Sequence, residues 1–130
     1  MTEERATPVR DAPRTGDEQV RRFYECVDSG DISALVDLFT EDCVYHRPGY
    51  APWRGREGLA RFYTEARIIR SGNHTLTALL SDGPNVAAHG EFGGVLRDGT
   101  EVHLRFADFF ETAADGRFSR RFTYYFAPLA

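Results

Sequence analysis

The sequence predicts an α+β domain, with helices first and a mostly antiparallel sheet after them, on three observations. Up to about residue 70 the apolar residues recur at helical spacing. From His74 onward the period falls to two, and Asp82-Gly83-Pro84, Asp98-Gly99 and Asp115-Gly116 divide the second half at turn signals. The chain has 130 residues, 42% of them apolar, with ten Phe, six Tyr and one Trp. That suffices for one packed core and excludes disorder of the whole.

Residues 1–15 are charged, hold two prolines and show no apolar period, so they predict a disordered leader before a single domain over 16–130. Thr15 and Glu18 form a capping-box pair at a helix start. Val20, Phe23, Tyr24 and Val27 continue that helix and Gly30 stops it. A second, short helix opens at Asp31 with Ile32, Leu35, Val36 and Phe39 on one face. Residues 43–47 (CVYHR) read as a brief strand closed by Pro48 and Gly49. After the loop GYAPWRG a third helix begins near Arg56, with Leu59, Phe62, Tyr63, Ala66 and Ile69 as its stripe. Strands near 74–81, 86–96, 101–112 and 117–126 then form an antiparallel meander, and the helices pack on one face of it.

The charge set narrows the chemistry. All 16 basic side chains are arginine against 20 acidic ones, a formal charge of −4. Without lysine there is no Schiff-base or amine nucleophile. A net acidic chain lacks the footprint of a nucleic-acid binder. Two cysteines, Cys26 and Cys43, are too few for a disulfide scaffold, and no apolar run reaches membrane-spanning length. The expectation is a soluble cytoplasmic protein with no nucleic-acid or membrane partner.

Polar residues on apolar faces mark the candidate site. On the strand 101–112, Asp108 shares a face with Val102, Leu104, Phe106 and Phe110. A carboxylate there is a functional acid or half of a structural ion pair. On 86–96, His89 and Glu91 leave from one side, the arrangement of a histidine base steered by a carboxylate or of a solvated edge. The glycines at 90, 93 and 94 leave room close to the sheet or mark a bulge. Tyr45 and Arg47 point inward with Cys43, whereas His46 faces out. On the last strand Phe118, Phe122, Tyr124 and Phe126 form one face and Arg121, Thr123 and Tyr125 the other. With both faces apolar enough to be covered, a second subunit is expected against the sheet.

No H-E-x-x-H or C-x-x-C occurs, and His74, His89 and His103 lie on separate strands, so no metal site is expected. The same holds for nucleotide cofactors, since there is no phosphate-binding glycine loop.

The runs RRFYECVDSGDISALVDLFTEDCVYHRPG, RGREGLARFY and DGTEVHLRFADFFETAADGRFSRRFTYYF resemble the nuclear-transport-factor-2-like superfamily, in its ketosteroid-isomerase and SnoaL-like branch, over nearly all of residues 17–127. The resemblance implies a cone-shaped (cystatin-like) α+β barrel: a curved sheet wrapped around three helices, with an apolar pocket open at one end and homodimers common. Members include isomerases, polyketide cyclases, epoxide hydrolases, dehydratases and proteins without activity.

By the same resemblance, Asp108 takes the place of the isomerase aspartic acid that donates to the substrate oxyanion. Phe23 stands where the oxyanion tyrosine would be, with Tyr24 adjoining it. Arg47 stands where the general-base aspartate would be, and an arginine is no base at neutral pH. In the epoxide-hydrolase branch Tyr45 matches the tyrosine, but Arg47 replaces the asparagine. The cyclase and dehydratase branches use a pocket histidine with an aspartate, which His89 and Asp108 fit.

The reading is therefore a cofactor-free acid/base enzyme for an apolar, carbonyl-bearing small molecule, of cyclase, isomerase or dehydratase type. His89 is its base and Asp108 its acid, while Arg47 and Tyr45 hold the developing oxyanion. Glu91, Phe23, Tyr24, Phe106, Phe110, Trp53, Arg121 and Tyr125 line the substrate. Its rivals are a binding module, with Arg47 paired to Asp108 or Glu91, and a scaffold that recruits another chain through the aromatic face of the last strand.

Overall fold

The computed structural model describes residues 14–127, so the leader expected over residues 1–15 lies almost wholly outside the described residues. Helix α1 (Gly16–Ser29) starts at the predicted capping box. Thr15 Oγ1 accepts from the Glu18 N–H at 3.1 Å, and Glu18 Oε1 accepts from the Thr15 N–H at 2.8 Å. Gly30, at φ 76°, ends the helix in the left-handed conformation.

The short α2 (Ile32–Asp37) stops before Phe39, which belongs instead to β1 (Phe39–His46). The cause is tertiary: the Phe118 N–H donates to the Leu38 carbonyl at 2.9 Å and draws the chain into the sheet. A two-residue strand, β2 (Trp53–Arg54), forms inside the expected loop. Helix α3 (Gly55–Arg61) passes into a π turn (Phe62–Ala66), closed where the Arg67 N–H reaches back to the Phe62 carbonyl at 2.8 Å. Ile69, expected at the end of that helix, therefore opens β3 (Ile69–Asp82). That strand begins five residues earlier than the sequence period implies, because Ser71, Gly72 and Asn73 have little strand preference of their own. They pair with Val95, Gly94 and Gly93 across the sheet.

With β4 (Asn85–Leu96), β5 (Glu101–Thr112) and β6 (Phe118–Tyr125), these strands form one six-stranded sheet in the order β2-β1-β6-β5-β4-β3. It is antiparallel except where β1 runs parallel to β6. The predicted meander is thus present, and the first strand docks on its end. The helices cover the inner face, where Phe23, Phe39, Phe110 and Phe118 pack at 4.7–6.2 Å between ring centres, edge to face except for the tilted Phe110–Phe118 pair.

Phe118, expected beside Phe122 and Tyr124, turns inward instead. The pairing moves from Glu111↔Arg120 to Thr112↔Phe118, so Ser119 is an extra residue and the bulge inverts the parity of the strand. No helix among the described residues is long and apolar enough to cross a membrane.

The glycines of β4 serve close approach. A Cβ on Gly90 would stand 2.2 Å from the Thr75 carbonyl oxygen, beside the register shift between Leu76 and Ala78. A Cβ on Gly93 would meet nothing nearer than 3.9 Å. Gly90→Ala should therefore destabilise the fold by about 1–3 kcal/mol, while Gly93→Ala changes stability by less than about 0.5 kcal/mol. Urea unfolding midpoints of the two variants check this, and equal midpoints would overturn it.

Candidate functional site

Strand parity builds the site. Asp108 pairs with Ala88 on β4 and Thr123 on β6, so these three residues share the inner face with Phe106, Phe92 and Arg121. Asp108 is 1% exposed and Arg121 4% exposed. Arg121 Nη2 donates to Asp108 Oδ2 at 3.0 Å, and its Nη1 donates to the Tyr63 hydroxyl at 3.0 Å. Its guanidinium lies between the rings of Phe23 and Tyr45, at 4.5 and 4.4 Å.

The proton directions follow from counting donors. The Thr123 hydroxyl gives its single proton to Asp108 Oδ1 at 2.5 Å, so at the 2.9 Å contact between the Tyr45 and Thr123 hydroxyls it is Tyr45 that donates. The Tyr45 oxygen in turn accepts from Arg47 Nη1 at 3.0 Å. The Tyr24 hydroxyl also donates to Asp108 Oδ2. The hydroxyl protons of Tyr45, Thr123 and Tyr24 thus all point towards Asp108, which accepts on both oxygens.

Burial and the adjacent Asp108 carboxylate push the Tyr24 phenol well above its ordinary value. Burial raises Tyr63 and Tyr125 as well. Burial acts most strongly, against the charge on Arg121, but Asp108 together with Tyr45, Tyr63 and Tyr24 more than offsets it and holds that guanidinium well above the usual arginine value.

Beside this network is a cavity of about 10 Å³ lined by Arg47, Tyr63, Arg67, His74, Asp108 and Arg121, with Val27, Ile69, Phe92, Phe106, Thr123 and Tyr125. Sequence reasoning missed His74. It pairs with Phe92 on β4, and its ring packs against Tyr24, Phe92 and Phe106 at 4.7–5.3 Å. Asp28, in the last turn of α1, accepts from the His74 backbone N–H at 2.9 Å and meets His74 Nδ1 at 2.6 Å. An ionised carboxylate only accepts, so Nδ1 carries the proton and Nε2 is the basic nitrogen. The signal was available: His74 sits on an inward parity position, as Asp108 does.

Of the expected site residues, the structure brings together Asp108, Arg47, Arg121, Phe106 and Tyr125 at the cavity, with Tyr24 and Tyr45 directly behind them. His89 and Glu91 are not among them. His89 pairs with Ala107 and Glu91 with Arg105, so both point to the outer face, opposite to Asp108. There Thr77 Oγ1 meets His89 Nδ1 at 2.9 Å, and His103 meets Glu91 at 2.9 Å. The solvated-face reading of that pair holds, since one residue of register separates the two faces, but β4 lies between β3 and β5 and is not an edge strand.

Phe23 and Phe110 are core residues that do not reach the cavity. Trp53 is half-buried beside Tyr50 and Phe62, in a separate surface groove. Asp108 pairs with Arg121 and not with Arg47. Cys26 and Cys43 are buried free thiols, and among the described residues no group of three or more His, Cys, Asp or Glu side chains converges as metal ligands.

The SnoaL-like domain model matches residues 20–121. A protein of ketosteroid-isomerase-like fold from Catenulispora acidiphila, solved in complex with trimethylamine, is 22% identical over 85% of this chain and 87% of its own, with a TM-score of 0.76. A putative polyketide cyclase from Pseudomonas putida is 22% identical over 87% and 92%, at 0.72. The epoxide hydrolase/cyclase-like enzyme SalBIII, of pyran-ring formation in salinomycin, is 19% identical over 97% and 95%, at 0.74. These likenesses establish the cone-shaped α+β fold.

The buried phenols make stability fall in alkali. A phenol whose folded value is raised stays protonated while the unfolded chain ionises near pH 10, so stability is full below pH 10 and falls above it. The fall is about 1.4 kcal/mol per pH unit per phenol. No lysine titrates in that range to obscure it. Tyr24→Phe should show a shallower decline than the parent between pH 10 and 11.5 in urea unfolding, and parallel declines would refute the assignment.

Proposed function

Starting from the membership of this chain in the SnoaL-like domain family, we propose that it is a small cytoplasmic enzyme performing cofactor-independent acid/base chemistry on a carbonyl-bearing small molecule. The observation that carries this is the Asp28–His74 pair at the cavity wall. His74 Nε2 removes a proton from the carbon next to the carbonyl. The C–H bonding pair moves into the enolate, and the imidazolium is steadied by Asp28.

Arg47 and the Tyr63 hydroxyl receive the developing oxyanion. The Tyr63 oxygen accepts from Arg121, so its own proton is available to the ligand. Tyr45 acts through Arg47 as a positioning residue. Asp108, saturated by its donors, is the electrostatic anchor of the wall, in place of the proton donor expected from the sequence. Return of the proton to a different carbon gives an isomerase. Loss of a β-hydroxyl as water gives a dehydratase, and attack of the enolate carbon on a second carbonyl gives a cyclase. The apolar body of the substrate rests on Phe92, Phe106, Ile69 and Val27.

One observation favours a second, non-catalytic reading: the cavity has room for about one water. On that reading Asp108 and Arg121 are a structural pair inside a scaffold. On the enzyme reading the half-buried Arg47, Arg67 and Tyr125 swing aside as the substrate enters.

The outer sheet face is proposed as a homodimer interface. Phe109, Tyr124 and Phe126 are 49, 55 and 65% exposed, with Phe122 stacked on His46 at 4.5 Å beside them.

Deuterium exchange next to the carbonyl of 2-tetralone, followed by proton NMR in D2O, tests the chemistry. His74→Gln and Asp28→Asn should each slow the catalysed exchange about 100-fold, while His89→Ala leaves it unchanged. Exchange that is absent, or indifferent to His74, sinks the enzyme reading. Light scattering should give twice the chain mass, and Tyr124→Glu should halve it; a parent monomer would refute the interface.

A further inference from the structure

Three arginines reach one cavity, and only Arg121 has a carboxylate. Arg47 is held by the Tyr45 hydroxyl at 3.0 Å and by the faces of Phe62 and Tyr125, at 5.0 and 5.4 Å. Arg67 sits on the short link between the π turn and β3 and lies over the Tyr63 ring at 5.4 Å. Its Nε, like that of Arg121, is buried without a hydrogen-bond partner, and among the described residues neither Arg47 nor Arg67 makes an ion pair. Burial pushes Arg67 below the ordinary arginine value, and the cations Arg47 and Arg121 push the same way.

A guanidinium does not shed its proton near neutral pH, so the wall holds two positive charges unmatched by protein carboxylates. An anion that enters with a planar fork of oxygens satisfies the orphaned Nε together with an adjacent Nη. We infer that Arg67 anchors a carboxylate carried by the substrate, remote from its reacting carbonyl, so that the substrate class is a keto acid with an apolar body. This rests on the proposed acid/base reading, which assigns Arg47 to the charge that develops during reaction. Arg67 is then the one cation left for charge already present on the substrate. One cation matches a carboxylate monoanion better than a phosphate dianion.

The probes are 3-benzoylpropionate and its uncharged primary amide, measured by titration calorimetry at pH 7.5. The parent protein should bind the carboxylate at least about 10-fold more tightly than the amide, the size expected of one buried charge-assisted contact. Arg67→Gln should erase that preference, and Arg67→Lys should restore part of it. In the exchange assay, Arg67→Gln should raise the 3-benzoylpropionate concentration giving half-maximal rate and leave the maximal rate within about threefold, the signature of lost ground-state binding.

Equal affinity of the parent for acid and amide overturns the inference and requires no variant to fold. So does tighter binding of 2-phenylethylphosphonate than of the carboxylate. Exchange of 2-tetralone that depends on His74, without any preference for the acid, removes the anchor and leaves the acid/base reading standing. Preferred binding of the acid with exchange indifferent to His74 does the reverse.

Discussion

The Asp108–Arg121 pair is the constraint on which the rest of the interior depends. Two charges at 1% and 4% exposure must be paired with each other, because removing one partner of a buried pair costs about 3–5 kcal/mol. Side chains from four elements support the pair, although Arg121 Nε stays buried without a hydrogen-bond partner. Tyr24 from α1 and Thr123 from β6 donate to the carboxylate, Tyr45 from β1 donates to Thr123, and Tyr63 from the π turn accepts from Arg121. Two aromatic faces sandwich the guanidinium. The helix layer, the first strand and the last strand are thereby held in one relative placement, since a shift of any of them leaves a buried donor without an acceptor.

That placement has a chemical consequence. With Asp108 accepting on both oxygens, the wall offers a fixed field, and under the proposed reading proton transfer falls to the neighbouring Asp28–His74 pair. The two carboxylates have separate duties: one fixes cations and phenols, and the other fixes a histidine tautomer. The same wall explains why three arginines gather in a chain of net charge −4. Arg121 answers Asp108, while Arg47 and Arg67 line the cavity without a carboxylate partner among the described residues.

Much of the architecture was legible because it rests on local rules. The capping box at Thr15 and Glu18, the stop at Gly30 and the three hairpin signals each need only near neighbours. Asp108 was legible too, since parity alone set it among Phe and Leu residues. The errors share a cause. Phe39 left its helix for a hydrogen bond to a strand nearly eighty residues away, Phe118 changed face at a bulge, and His89 faced outward. In each case pairing between strands outweighed a plausible local pattern.

By itself, then, the sequence determined the α+β order, the alternation of side chains along β4 and β5, the inward course of Arg47 and Arg121, and the exclusion of amine chemistry. Those properties follow from side-chain period and residue type. Only the tertiary structure decided which inward groups meet. Asp28 and His74 are joined across 46 residues, Asp108 chose Arg121 over Arg47, and Arg67 was left without a carboxylate. Such pairings depend on register and on how the helices stand over the sheet, and one chain read in order contains neither.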